Sequence, residues 1–441
     1  MQALFFDQAL LQDGWAADVR ISLADGRIAA VERGATPRPG EVRHATGLPG
    51  LPNLHSHAFQ RGMAGLAETR GPQADSFWTW REVMYRFLDR MGPEDVEAIS
   101  ALAFLEMVEA GFTRVGEFHY LHHDRDGRPY ADPAELSRRV AASAAAAGIR
   151  LTLLPVFYAH GGFGAAPPAP GQRRFVSTLD GFARLLEAAR SLKGVRVGLA
   201  PHSLRAVTPE ELGLLGTMQE DGPIHIHAAE QVREVADCLA WSGARPVEWL
   251  LDHAGVDERW CVIHATHMTP GETERLARSG AVAGLCPVTE ANLGDGIFSG
   301  AAFRAAGGRY GIGTDSNVAI DAAAELRQLE YSQRLALRAR NVMAGEEGGS
   351  TGRALFEAAL TGGAAALGEE RPMWAPGEPA DIVALAPGLA GADGALDAWV
   401  FARGRVGSVW IGGEHLVEGG RHRARDRVEQ RAARAIRRLL G

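Results

Sequence analysis

Between residues 48 and 316 the chain repeats one alternation, a short apolar segment followed by a stretch with helix signals. The apolar segments read, in order, LPGLPNLHSH, TRVGEFH, RLTLLPVFY, VRVGLAPHS, PIHIHAAE, CVIHAT, VAGLCPVTE and RYGIGTDS. The stretches between them, such as DPAELSRRVAASAAAAG, open on an acidic residue and proline and close on glycine, as helices do. Repeated βα units build a parallel sheet, and eight of them close a barrel. No close sequence repeat accompanies the alternation, so the period is architectural.

The two ends of the chain read differently. ALFFD and ADVRISLADGRIAAVE near the start, and ADIVALAP and AWVFARGRVGSVWIGGEHLVEGG near the finish, are short β-rich segments with glycine-containing turns. The expected fold is therefore α/β: a (β/α)8 TIM-like barrel over residues 48–375, with a small β-sandwich domain formed from both chain termini, residues 1–47 and 376–441. The tail RHRARDRVEQRAARAIRRLLG repeats apolar residues at Val428, Ala432, Ile436 and Leu440, with Leu439 beside the last, which predicts an amphipathic helix docked by its apolar stripe. The loop HGGFGAAPPAPGQ, residues 160–172, lies on the rim of the strand ends and is either a lid or a plain mobile loop.

Composition excludes several classes. No apolar run reaches the roughly 18 residues of a membrane-spanning helix, and the start MQALFFDQALLQDGW lacks the basic leader of a secretion signal. Lysine plus arginine number 46 against 54 acidic residues, a net charge of −8 that offers nucleic acid no broad attraction. Cys238, Cys261 and Cys286 are widely spaced, which argues against a disulfide framework or a thiolate zinc site and makes the cytoplasm the expected compartment.

In such barrels reactive groups sit at the C-terminal strand ends. The first strand ends in His55 and His57, the fifth reaches His227 and then Glu230, the sixth carries His264, and the eighth finishes at Asp315. Alternate residues of a strand share a face, so the HSH pair projects two imidazoles together. Nitrogen and oxygen donors without cysteine suit one borderline divalent ion, Zn²⁺ first and Fe²⁺ second, held by His55, His57, His227 and Asp315. Such an ion brings water towards ionisation near neutral pH. Asp315 is then placed to accept a proton, Glu230 to carry one to a leaving nitrogen, and His264 to hydrogen-bond the developing tetrahedral centre. His225 sits one layer deeper as support, His122 and His123 read as a polar loop, and Asp321 opens the next helix. Two-metal barrels of this type often bridge their ions with a lysine at the end of the fourth strand. The one lysine here, Lys193, precedes that strand, so a single ion is expected.

HSH after a Pro-rich strand, HAAE on the fifth strand, the sixth-strand histidine and TDS at the eighth together resemble the amidohydrolase superfamily, over nearly the whole chain. Within it, PNLHSHAFQRGMAGLAE, DSFWTWREVMYRF, GEFHYLHH, LAPHSLRAV and HIHAAEQ are similar to the formimidoylglutamate deiminases. That resemblance implies hydrolysis of a small dicarboxylate, N-formimidoyl-L-glutamate, to N-formyl-L-glutamate and ammonia in histidine degradation. It also implies substrate binding by Gln60, Arg81, Tyr120, His202 and Arg205, and a homodimer. Guanidinium forks are natural partners for two carboxylates. A deaminase of guanine, a substituted adenosine or a triazine is the competing reading, with Trp78 and Trp80 as its aromatic walls; a non-catalytic barrel is the third.

Overall fold

Each apolar segment of the alternation contributes a strand, and the way those strands pair decides where the mouth of the barrel lies. The computed structural model describes residues 2–71, 75–219, 221–345, 347–369, 373–388 and 391–441. The chain opens with β1 (Gln2–Leu11), β2 (Gly14–Ala24), β3 (Arg27–Glu32) and β4 (Val42–Pro49). The barrel follows as β5 (Leu51–Ser56), β6 (Phe112–His119), β7 (Arg150–Phe157), β8 (Arg196–Val197), β9 (Ala200–Pro201), β10 (Ile224–Ala228), β11 (Trp260–His264), β12 (Val282–Leu285) and β13 (Arg309–Ile312). After a long helix come β14 (Ile382–Leu385), β15 (Val406–Ile411), β16 (Glu414–Glu418) and β17 (Arg421–His422).

The barrel strands pair in parallel as two runs, β5-β6-β7-β8 with β9 also on β7, and β10-β11-β12-β13. Bridges Leu199↔Ile224 and Ser203↔His227 join the runs on one side, and Ser56↔Asp315 joins them on the other, so the ring closes. β5, β6, β10, β11 and β12 are buried at every residue, as parallel strands covered by helices must be. The fourth strand is broken into β8 and β9 at Gly198, where a Cβ would stand 2.6 Å from the Pro223 carbonyl oxygen. The seventh segment is a strand only through Leu285. Its PVTE becomes the start of the helix Pro287–Leu293, because proline lacks the N–H a strand needs but suits the first helical turn.

The terminal segments meet in one eight-stranded sheet of order β17-β16-β15-β14-β4-β1-β2-β3, stitched by β14 lying antiparallel to β4. The first segment read from the sequence straddles this sheet and the barrel: Leu48 and Pro49 belong to β4, and β5 begins at Leu51. Alternation gives the sheet two apolar faces. Leu4, Phe6, Val19, Ile21, Ile382 and Trp410 enclose a core of the sheet's own, whereas Leu10, Leu48, Val383 and Val409 join the main core with the barrel.

Beneath the barrel, Arg114 and Arg150 at the starts of β6 and β7 face Asp381 and Glu369. Asp381 Oδ2 accepts from Arg114 Nη2 at 3.3 Å and Arg150 Nη1 at 3.0 Å, and its Oδ1 accepts from the Gly412 amide at 3.0 Å. Asp381 is buried. Removing Asp381 leaves the buried Arg114 and its neighbour Arg150 to share Glu369 alone, so Asp381→Ala is expected to cost about 3 kcal/mol of stability. Denaturant unfolding measures it; a loss below about 1 kcal/mol, the worth of an exposed pair, would show the cluster to be dispensable.

The last helix, Arg425–Leu440, buries Val428, Ala432, Ala435 and Leu439. The stripe read at every fourth residue therefore shifts: Leu440 is 52% exposed. A helix turns once per 3.6 residues, so steps of four, three and four hold a face that steps of four drift off. Arg425 to Glu109 at 2.9 Å and Arg431 to Glu97 at 2.7 Å fasten it to the helix Pro93–Glu109.

Candidate active site

Closure between the first and eighth strands creates the site. The His57 amide donates to the Asp315 carbonyl at 2.9 Å, and the Thr314 and Asp315 amides both donate to the His55 carbonyl at 3.0 Å. A buried side-chain lattice holds this junction. Asn53 Nδ2 donates to Thr314 Oγ1 at 2.7 Å, and Asn317 Nδ2 donates to Ser56 Oγ and to the Asp315 carbonyl, each at 3.1 Å. Asp315 has φ +41° and His264 φ +67°, left-handed conformations that side chains seldom adopt. Such strained backbone at strand ends turns these two side chains into the mouth.

Asp315 Oδ1 lies 3.3 Å from His55 Nε2 and 3.2 Å from His57 Nε2, and His55 Nε2 lies 3.2 Å from His227 Nε2. One donor atom from each of these four residues falls within 4.8 Å of every other. For His57 and His227 the tautomer follows from the far side of the ring. His57 Nδ1 donates to the Phe118 carbonyl at 2.9 Å and His227 Nδ1 to the His202 carbonyl at 3.0 Å, because a carbonyl can only accept. With Nδ1 turned to those carbonyls, Nε2 of both rings faces the centre of the cluster, where His55 Nε2 and Asp315 Oδ1 also lie. Donor atoms converging in this way fit a shared cation, and carbonyl-anchored imidazoles are the usual support of metal ligands. Burial, reinforced by the neighbouring histidines, holds His227 well below the ordinary histidine range, so its ring is neutral and free to ligate. Burial likewise lowers His55, to about 3.

Above the cluster, His264 Nε2 is 3.9 Å from Glu230 Oε1 and 4.0 Å from Asp315 Oδ2. Burial lifts Glu230 above the ordinary carboxylate range, against the pull of His264 and Arg205, which suits a group that must both hold and release a proton near neutrality. One cavity is lined by His57, His227, Glu230, His264 and Asp315 together with Gln60, Arg81, Tyr120, His202 and Arg205. His55 lies fully buried just beneath. Every site residue named from the sequence is thus brought to one place.

The organic end of the cavity has its own order. Gln60 Nε2 donates to Tyr120 Oη at 2.7 Å, and the buried Gln60 Oε1 has no partner among the described residues. Arg81 stacks 4.6 Å above the Trp78 ring. Among the described residues the buried Nε atoms of Arg81 and Arg205 have no partner, and the closest carboxylate to Arg205 is Glu230, at 4.0 Å. Burial, then the charges of Arg205 and neighbouring histidines, keeps His202 well below the ordinary histidine range, hence neutral.

Sequence reasoning missed the lattice of Asn53, Thr314 and Asn317, the aromatic wall of Tyr85, Tyr158 and Phe175, and Glu117. Glu117 accepts from the Ala58 amide at 2.7 Å, just past the HSH pair. A polar Asn53 inside an otherwise apolar strand was the available signal, since buried polar groups are there to bond. The bland readings stand as well. His225 donates from Nε2 to the Ala366 carbonyl at 2.7 Å, His122 and His123 bond to the carbonyls of Val156 and Val176, and Asp321 caps its helix through the Ala324 amide at 3.1 Å.

A barrel with a four-residue metal cluster at its C-terminal mouth and a sheet built from both termini defines the class, and the chain belongs to the amidohydrolase family, whose model matches residues 46–416. Residues 1–45 match the N-terminal domain of formimidoylglutamate deiminase HutF. The chain is 51% identical to the formimidoylglutamate deiminase of Pseudomonas aeruginosa, covering 100% of this chain and 99% of that one. It is 29% identical to the 5-methylthioadenosine/S-adenosylhomocysteine deaminase of Natronomonas pharaonis over 96% of this chain and 95% of that one. Its structure superposes on an amidohydrolase from Brucella melitensis with a TM-score of 0.97 at 56% identity, each chain covered in full.

Proposed function

We propose that the chain is a metal-dependent deiminase that converts N-formimidoyl-L-glutamate and water to N-formyl-L-glutamate and ammonia in histidine degradation. The observation that carries this reading is a single cavity that joins the metal cluster to two guanidinium groups with unpartnered nitrogens. Full-length similarity to a formimidoylglutamate deiminase, including the N-terminal domain, supports it over the purine and triazine readings.

His55, His57, His227 and Asp315 would hold one divalent ion, Zn²⁺ before Fe²⁺, which when bound supplies Lewis acidity and an acidified water. The remaining work belongs to the protein. Arg205, Arg81, Gln60, Tyr120 and His202 fix the dicarboxylate so that its formimidoyl carbon faces Asp315. As the water oxygen bonds to that carbon, Asp315 takes a water proton. Glu230 delivers a proton to the amidine nitrogen, and His264 hydrogen-bonds the oxygen as charge builds on it. The proton held by Asp315 and the one remaining on the oxygen account for the rest: as the oxygen gives up its second proton to form the formyl C=O, the same nitrogen takes a second proton by way of Glu230, the carbon–nitrogen bond breaks and ammonia departs. The three buried, unpaired cysteines accord with a reducing cytoplasm, and a homodimer completes the reading.

Two measurements test this. Ammonia release should occur with N-formimidoyl-L-glutamate and not with guanine or 5-methylthioadenosine; the opposite preference would overturn the substrate. Exhaustive treatment with a chelator should abolish turnover, with one equivalent of Zn²⁺ or Fe²⁺ per chain restoring it. Full activity in protein shown by metal analysis to be metal-free would refute the mechanism.

A further inference from the structure

We propose that Glu290 is a positioning residue for His264, an inference that rests on the proposed function for the step that His264 serves. Glu290 Oε1 accepts from His264 Nδ1 at 3.2 Å and from the Cys286 amide at 3.0 Å, and the side chain is buried. A carboxylate only accepts, so Nδ1 carries a proton, and Nε2 is the ring nitrogen presented to Glu230 and Asp315, where it must carry a second proton to donate to a developing oxygen. His264 needs such an anchor. It stands at the end of β11 with φ +67°, where backbone geometry alone leaves the ring free to rotate about its side-chain bonds.

Glu290 is itself held firmly. It lies in the helix Pro287–Leu293, whose Val288 amide donates to buried Glu325 at 2.9 Å. Thr289 Oγ1 in the same helix is 3.0 Å from Ser316 Oγ and donates to the Thr314 carbonyl at 3.2 Å. One short helix therefore ties the seventh strand end to the sixth, through His264, and to the eighth, beside Asp315. That link would keep His264 and Asp315 in register while the substrate carbon changes geometry between them. The competing role for Glu290 is purely structural, a cap on the Cys286 amide.

The test compares Glu290→Ala with Glu290→Gln in the metal-loaded enzyme. Glutamine keeps an acceptor oxygen for both N–H groups, whereas alanine keeps none. Loss of an orienting partner of this kind typically lowers activity by about 10- to 100-fold. E290A is expected to lose about 100-fold in kcat with KM within about threefold and one metal per chain retained, and E290Q to return within about tenfold of wild type. Independently of turnover, the Nδ1–H proton resonance of His264 in ¹⁵N-histidine-labelled holoenzyme, assigned by its disappearance in His264→Ala, should survive in E290Q and vanish in E290A. An E290A enzyme with wild-type kcat would overturn the proposal. So would equal losses in both variants that track lost metal or a lowered melting temperature. If wild-type enzyme releases no ammonia from N-formimidoyl-L-glutamate, the functional reading fails, while the resonance comparison still decides whether Glu290 orients His264.

Discussion

Asp315→Asn is expected to reduce kcat by at least about a thousandfold, the upper part of the range for loss of a general base, because one substitution removes two functions. The first is charge at the metal cluster. Asp315 Oδ1 sits 3.3 Å from His55 Nε2 and 3.2 Å from His57 Nε2, the one carboxylate among the four residues of the cluster. The second is proton acceptance, which an amide cannot perform. Asparagine has nearly the same shape, and the backbone bonds from His57 and to the His55 carbonyl do not involve the side chain, so the fold should survive. Ammonia release, metal content and thermal melting read together separate the effects. A folded D315N enzyme within tenfold of wild type would remove Asp315 from the mechanism.

Arg205→Ala is expected to lower kcat/KM by about 2 to 5 kcal/mol, the range for truncating one partner of a desolvated charge pair. That is about 30-fold to several thousandfold. The reason lies in what surrounds the guanidinium. Burial opposes its charge, but Glu234 and Glu230 more than offset this, and among the described residues no carboxylate comes closer than the 4.0 Å of Glu230. Among the described residues the charge is thus maintained without a close ion pair, and the buried Nε has no partner. A substrate carboxylate would satisfy it. Arg205→Lys should fall between wild type and alanine, since lysine keeps the charge and loses the planar fork. An unchanged kcat/KM in R205A would take this arginine out of the binding site.

Much of the site was legible because residue type and strand period are written in one dimension. HSH must put two imidazoles on one face of a strand, and a histidine or aspartate at the end of a buried apolar segment has few reasons to be there except the mouth of a barrel. The eight segments themselves were legible for the same reason. Legibility failed where a segment changed structure within its own length. VAGLCPVTE reads as one apolar run, yet its proline starts a helix, and Glu290 was hidden inside what looked like a strand. The C-terminal stripe was likewise placed one residue off at its end, since several alanines and leucines fit either face and only docking on the helix Pro93–Glu109 selects Ala435 and Leu439.

By itself the sequence determined the kind of donors, their order along the chain and the parallel architecture that gathers them, since these follow from side-chain chemistry and from the periods of strand and helix. Tertiary structure alone decided which atoms meet. The ring closes when Ser56 bridges Asp315, and only then do two histidines from the first strand share a carboxylate from the eighth. Which nitrogen His57, His227 and His264 turn to the site was also decided there, by the carbonyls of Phe118 and His202 and the carboxylate of Glu290. A backbone carbonyl carries no residue identity, so no pattern of letters can announce the partner that fixes a tautomer.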